Sequence, residues 1–145
     1  MSQRLQLHGT AIAIEGAGVL LRGAAGAGKS SLALSLIDEG AILIADDLCE
    51  IRRLGDGLII DLPAAVDPRF RGAIAPRGSG ILYRPYFGPA LLSLVVDLQK
   101  PGSGSADQPE SIGLLGLACA HAVLDPFQAD AVPLLRKMAP RQLVD

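Results

Sequence analysis

The stretch GAAGAGKS, which runs from Gly23 to Ser30, constrains the fold more than any other part of the sequence. It has the pattern G-x-x-x-x-G-K-S, in which glycines let the backbone turn successive N–H groups toward a phosphate. Such a loop works between a strand, here the apolar run before Gly23, and a helix whose positive end adds to phosphate binding. The motif therefore predicts a strand–loop–helix unit of an α/β domain that binds a nucleoside triphosphate.

Each side chain at the end of this loop has a predicted role. Lys29 reaches the β- and γ-phosphates of the nucleotide, and Ser30 offers its hydroxyl to Mg²⁺. The predicted nucleotide-binding residues are Gly23, Ala24, Ala25, Gly26, Ala27, Gly28, Lys29, Ser30 and Ser31.

Two adjacent carboxylates follow the next predicted strand. Leu32 and Leu36 lie on one apolar face of the expected helix, which ends at Gly40. The apolar run 41–45 then ends in Asp46 and Asp47. A carboxylate delivered beside the phosphates can hold Mg²⁺ or accept a proton from the attacking nucleophile, and two adjacent ones could divide these roles. The alternative is a polar strand end that forms an Asx turn.

The remainder of the chain predicts more strands than helices. A doubly wound nucleotide-binding fold would keep alternating strand and helix, and this sequence does not. We therefore expect one α/β domain over residues 1–145, β-rich after the first strand–loop–helix–strand unit, with a flexible loop at about 101–109. Strands are predicted at 10–14, 18–22, 41–45, 49–53, 58–62, 91–98, 112–115 and 122–124, and a last helix at 131–138.

Composition excludes several classes of protein. The net charge is −2 and no basic stripe is visible, which argues against a nucleic-acid binder. No uninterrupted apolar run reaches the ~18 residues that a membrane span needs, so the 50% hydrophobic content is expected to cover both faces of a sheet or a subunit interface. Cys49 and Cys119 fit neither a zinc site nor a disulfide framework, and we expect reduced thiols in a cytoplasmic protein.

Two further residues are ambiguous from the sequence alone. His8 stands ahead of the first predicted strand, where a lone histidine is more often structural or exposed. Arg77 lies in a glycine-rich loop, where it could neutralise charge that develops on a phosphate or could be a surface arginine. His121 is expected to be a sheet residue without a role.

Several segments in order resemble the catalytic domain of HPr kinase/phosphorylase. They are LHG, GAAGAGKSSLALSLIDEG, AILIADDLCEI and RGSGIL, which together extend from His8 to about Lys100. The tail LLGLACAHAVLDPF resembles short versions of the family without its N-terminal domain. The resemblance implies a fold like that of phosphoenolpyruvate carboxykinase. It also implies use of ATP and Mg²⁺ to phosphorylate a serine of HPr, a phosphocarrier protein of the sugar phosphotransferase system.

The resemblance also implies roles for individual residues. Asp46 resembles the general base that takes the serine proton, and His8, Lys29 and Arg77 resemble catalytic residues beside it. The resemblance implies an HPr-like protein as the partner and a homo-oligomer as the assembly, with the hexamer as the family's form.

The chain departs from the family pattern at two places. Ala75 stands where the family has a metal-binding Glu, so Ser30 and Asp47 are the predicted metal ligands. Residues 101–109 contain no arginine where the family has a catalytic arginine segment, which argues against phosphorolysis. The alternatives to a protein serine kinase are a non-catalytic, nucleotide-gated binding module and a small-molecule kinase.

Overall fold

The computed structural model describes residues 3–24, 26–76, 78–99 and 110–139, and these contain one large and one small sheet with two α-helices. A short 3₁₀ helix spans Pro68–Phe70. The strands are β1 (Arg4–His8), β2 (Thr10–Ile14), β3 (Ala17–Arg22), β4 (Ile42–Ala45), β5 (Leu48–Leu54), β6 (Gly57–Asp61), β7 (Ala73–Ile74), β8 (Leu82–Tyr83), β9 (Ala90–Leu98), β10 (Glu110–Leu114) and β11 (Leu117–Leu124). The helices are α1 (Lys29–Asp38) and α2 (Ala131–Met138).

Strand β9 joins the two halves of the large sheet. The strand order is β1-β5-β6-β9-β3-β2-β4. β9 runs parallel to β3 along one edge. Along its other edge, its first residues pair antiparallel with β6 and its last residues pair parallel with β11. The large sheet thus contains both parallel and antiparallel pairs, and β9 is the strand through which its two halves are hydrogen-bonded.

The first strand–loop–helix–strand unit brings two strand ends together. β2 lies between β3 and β4 and is antiparallel to both, so β3 and β4 run in the same direction. Their carboxyl ends therefore meet at one edge of the sheet, as they do for parallel strands joined through a helix. The glycine-rich loop (residues 23–28) leaves β3 at this edge, and Asp46 follows β4 there.

The sheet is buried on both faces, which confirms the expectation drawn from the apolar composition. Alternate residues of one strand belong to different cores, as the pleat requires. Ile12 and Ile14 of β2 pack with the helices, whereas Ala11 and Ala13 pack with Ile51 and Ile60 on the opposite face. Leu36 of α1 and Leu135 of α2 fill the first core.

None of the five aromatic residues is in either core. All of them are at least 42% exposed: Phe70, Tyr83, Tyr86, Phe87 and Phe127. The buried side chains of the first core are all aliphatic, and the second core adds Cys49 and Cys119, which are buried free thiols. Burial raises the pKa of the Cys49 thiol to about 12, which disfavours its thiolate form in the folded protein.

Most predicted strands are confirmed, with three corrections. His8 does not precede the first strand but ends β1, which pairs with β5. The alternation in Arg-Leu-Gln-Leu-His places Leu5 and Leu7 against the second core and could have predicted this strand. β11 begins at Leu117 rather than at residue 122, and short β7 and β8 lie between the predicted strands 58–62 and 91–98, where no strand was predicted. Within the described residues, neither α-helix is long and apolar enough to cross a membrane.

Close approach of β9 to β3 requires glycine at position 18. A Cβ at Gly18 would lie 2.7 Å from the carbonyl oxygen of Leu91 and 2.9 Å from Cγ2 of Ile60. Gly113, in β10, is a matched control because a Cβ there would meet nothing within 4 Å.

We expect Gly18→Ala to lower the free energy of unfolding by about 1–3 kcal/mol, because the added methyl group would force β9 and Ile60 away. Gly113→Ala should leave the free energy of unfolding unchanged or raise it slightly. Urea midpoints followed by far-ultraviolet circular dichroism would measure both. Equal midpoints for the two variants would contradict the close approach at Gly18.

Candidate functional site

The glycine-rich loop has the backbone geometry of an anion-binding turn. Gly26 and Gly28 have φ values of +83° and +94°, which glycine adopts without strain. Gly28 is the N-terminal cap of α1, and within the described residues no side chain caps this helix end or places an acidic group in its first turn. The free N–H groups of the first turn therefore suit a phosphate. Ala25 lies outside the described residues.

The side chain of Lys29 hydrogen-bonds to the backbone at the start of the glycine-rich loop. Its ammonium group donates to the carbonyl oxygens of Gly23 at 2.8 Å and Ala24 at 3.2 Å. Both partners are neutral, so the positive charge of Lys29 remains available to an anion at the loop. Lys29 thus lies against the glycine-rich loop, and its phosphate-binding role stays a prediction.

Asp46 is the centre of a hydrogen-bond cluster. Its carboxylate accepts from the hydroxyl of Thr10 at 2.7 Å, from the hydroxyl of Ser30 at 2.9 Å, and from the backbone N–H of Ala75 at 2.9 Å. Thr10 is fully buried, whereas Asp46 is half-buried. The cluster therefore joins β2, α1 and the segment after β7 at one carboxylate.

Asp47 is placed differently from Asp46. Its φ is +73°, its side chain is exposed, and its backbone carbonyl accepts from the N–H of Gly9 at 3.1 Å. Ser30 therefore contacts Asp46 and not Asp47, although the sequence assigned the metal to Ser30 and Asp47. The metal-binding role of Asp47 stays a prediction.

The two other predicted catalytic residues are His8 and Arg77. His8 is exposed at the end of β1, opposite Leu48 and two residues before Thr10. Arg77 lies outside the described residues, but Ala75 is exposed and bonded through its backbone to Asp46. The backbone two residues before Arg77 therefore lies at the site.

The site opens into a depression of about 630 Å³. Its walls are formed by the loop and the start of α1 on one side and by two residues from distant segments, Ala75 and Phe127. Within the described residues, no three His, Cys, Asp or Glu side chains converge as a metal cluster. Ser30 and Asp46 are the neighbouring oxygen donors of the kind that Mg²⁺ prefers, and they fit a metal held jointly with phosphate oxygens.

A second polar cluster fixes the end of β3, directly before the loop. Arg22 donates to both carboxylate oxygens of Asp97 on β9, at 2.8 and 2.9 Å. His121 on β11 places Nε2 2.7 Å from the same carboxylate. Burial alone would raise the pKa of Asp97, but the hydrogen bonds from Arg22 and His121 lower this pKa below the ordinary carboxyl value. His121, which had no predicted role, thus helps to join three strands.

Sequence reasoning missed Thr10, Asp97 and Phe127. Thr10 is the polar start of an apolar strand and Asp97 the one carboxylate near the end of β9, so both carried a weak local signal. Phe127 carried none, because its position beside Gly28 results from the tertiary fold. A motif search finds residues that are adjacent in sequence, and these three come from separate strands and turns.

Comparison with known proteins gives a consistent result. Residues 1–100 match the family model of the HPr Serine kinase C-terminal domain. The chain is 32% identical to the HPr kinase/phosphorylase of Aromatoleum aromaticum over 99% of its own length and 49% of the relative's. It is 33% identical to that of Alkaliphilus metalliredigens over 96% of its own length and 45% of the relative's. The chain thus spans about half the length of these relatives.

The fold also matches a solved structure. The Hpr(Ser) kinase/phosphatase from Coxiella burnetii superimposes with a TM-score of 0.78 at 25% sequence identity, covering 92% of this chain and 93% of that one. The strand-rich α/β architecture with few helices is therefore shared with this protein.

We expect Asp97→Asn to destabilise the fold by roughly 1 kcal/mol at pH 7, a modest loss because the carboxylate is 38% exposed to screening water. The folded-state pKa of Asp97 is lowered, so its contribution is present above about pH 4 and is lost as the pH falls through the folded-state pKa. Urea midpoints of the wild type and the variant should converge on acidification. Asp56→Asn, in the exposed β5–β6 turn, is the control. A difference between the two urea midpoints that stays constant down to acid pH would contradict a lowered pKa of Asp97 in the folded state.

Proposed function

The chain belongs to the HPr serine kinase C-terminal domain family, and from this premise we propose that it transfers a phosphoryl group from ATP to a serine of an HPr-like phosphocarrier protein. The observation that carries the proposal is the 2.9 Å contact between the hydroxyl of Ser30 and the carboxylate of Asp46. It joins the glycine-rich loop to a proton acceptor, and a kinase site needs both in one place.

Lys29 and the start of α1 would supply the positive charge for the phosphates. Phosphoryl transfer depends mainly on positioning and on electrostatic stabilisation. In this proposal the ammonium of Lys29 leaves the carbonyls of Gly23 and Ala24 for the β- and γ-phosphates. The backbone N–H groups that follow Gly28 would hold the remaining phosphate oxygens. Ser31, in the first turn of α1, would belong to the same phosphate-binding end of the helix.

Asp46 would act as the general base. Its three donors fix the direction of the carboxylate, and one of its oxygens would accept the proton of the substrate serine. Mg²⁺, when bound, neutralises charge on the transferring phosphate. Ser30 and Asp46 would hold it, and Asp47 would be a further ligand. His8 and Arg77 would flank the transferred group, with Arg77 balancing its charge.

Other features of the proposal rest on the family relationship and on the surface. We propose a phosphate-binding loop fold of the phosphoenolpyruvate carboxykinase type, a single domain over residues 1–145, a cytoplasmic setting, and assembly as a homo-oligomer, with no role in nucleic-acid or membrane binding. Four exposed aromatic residues between positions 70 and 87 support protein contacts. The family relationship disfavours the two alternatives, a non-catalytic binding module and a small-molecule kinase.

The first test separates transfer from binding. The chain is incubated with γ-labelled ATP, Mg²⁺ and an HPr-like protein, in parallel with Asp46→Asn and the matched variant Asp47→Asn. We expect the wild type to label a serine of the partner and Asp46→Asn to lose transfer by about 10²–10⁴-fold, because an amide cannot accept the proton. ATP binding should persist in both variants.

The outcomes distinguish the possible roles. Asp47→Asn should keep transfer and shift only its Mg²⁺ requirement. Transfer at the normal rate in Asp46→Asn would show that another group is the base. Bound ATP without any labelled protein in the wild type would favour the binding module, and a labelled metabolite would favour the small-molecule kinase.

Ala75→Glu tests the missing carboxylate. Since the backbone of Ala75 is bonded to Asp46 and its side chain lines the depression, a Glu there would be in reach of the metal. We expect a lower Mg²⁺ concentration at half-maximal turnover and a higher rate. Ala75→Gln is the uncharged control of the same size. Identical Mg²⁺ curves for the Glu and Gln variants would show that no carboxylate is needed at this position.

A further inference from the structure

Phe127 stands alone among the aromatic residues. The other four lie between positions 70 and 87, whereas Phe127 follows β11 and contacts the glycine-rich loop. A Cβ placed on Gly28 would lie 3.4 Å from Cζ and 3.7 Å from Cε2 of its ring. The residue is nevertheless 60% exposed. One part of the ring thus covers the last glycine of the loop, and the rest faces solvent at the depression.

The turn that carries Phe127 is fixed by a buried acid. The carboxylate of Asp125 accepts from the N–H of Phe127 at 3.0 Å, and the carbonyl of Asp125 accepts from the N–H of Gln128 at 3.2 Å. Asp125 is 5% exposed. An Asx turn of this kind holds the backbone of Phe127 in one conformation between β11 and α2. The exposed ring is therefore presented by an ordered turn.

The depression has both polar and aromatic lining. Lys29 and Ser30 offer an ammonium and a hydroxyl at the end of the loop, whereas Phe127 offers an aromatic ring beside Gly28. A ligand with phosphates at the loop extends its uncharged part along the depression. A nucleobase is planar and apolar on its faces, and base–aromatic stacking is favourable for every base.

We propose that Phe127 is the stacking platform for the nucleobase of the bound nucleoside triphosphate. This rests on the proposed function, since it requires the phosphates at the glycine-rich loop. A phenyl ring has no hydrogen-bond donor or acceptor with which to read the edge of a base. The contact therefore strengthens binding of ATP and GTP alike and does not select between them.

The experiment is calorimetric titration of the full chain with ATP, GTP and inorganic tripolyphosphate. Phe127→Leu keeps apolar bulk over Gly28 but removes the ring, and Phe127→Tyr keeps the ring. We expect Phe127→Leu to bind both nucleotides about 5- to 100-fold more weakly, with unchanged affinity for tripolyphosphate. Phe127→Tyr should bind all three as the wild type does. Lys29→Ala should weaken all three.

Each failure has a distinct signature. Equal nucleotide affinity in Phe127→Leu and the wild type, with Lys29→Ala weakened, would overturn the stacking role and leave the phosphate site intact. Parallel loss of tripolyphosphate binding in Phe127→Leu would show that the ring only supports the loop and would also overturn it. A wild type that binds none of the three ligands would overturn the proposed function together with this inference.

Discussion

The carboxylate of Asp46 is the contact on which the arrangement of the site depends. Three segments that are distant in sequence donate to it: Thr10 from β2, Ser30 from α1 and Ala75 from the segment after β7. Hydrogen bonds to an ionised acceptor are stronger than those between neutral groups. Each donor also belongs to an element with its own packing, so the carboxylate fixes the relative positions of the sheet, the helix and the loop.

Strand direction explains why so many polar groups share one edge of the sheet. β3, β4, β9 and β11 run in the same direction, so the residues that follow them leave at the same edge. Open sheets with parallel strands bind ligands at this edge in general. Here it gathers the glycine-rich loop, Asp46 and the turn that carries Phe127. The Arg22–Asp97–His121 cluster joins three of these strands near that edge.

The sequence predicted those parts of the site whose residues are contiguous along the chain. The glycine-rich loop, the helix after it and the carboxylates after β4 are contiguous in sequence, and their spacing alone indicates a phosphate site. The sequence paired Ser30 with Asp47, whereas the structure bonds Ser30 to Asp46, because which aspartate faces α1 depends on a backbone with positive φ at Asp47. β1 was missed although it alternates, since a five-residue strand at a sheet edge is a weak signal. Thr10 meets Asp46 across β2 and β4, and Asp97 and Phe127 reach this edge only when β9 and β11 join the sheet.

The central place of β9 has a consequence for the order of folding. β3 needs β9 as a neighbour, yet β4 to β8 lie between them in the chain. During synthesis, β3 and the glycine-rich loop emerge long before β9. Until β9 follows, the edge of β3 that pairs with it has no partner strand. Distant pairing of this kind is slow, because a long loop must close before any contact rewards it. An unpaired strand edge is also where nascent chains associate wrongly. The first strands of this chain thus depend on later ones for their pairing, and one edge of β3 waits for β9.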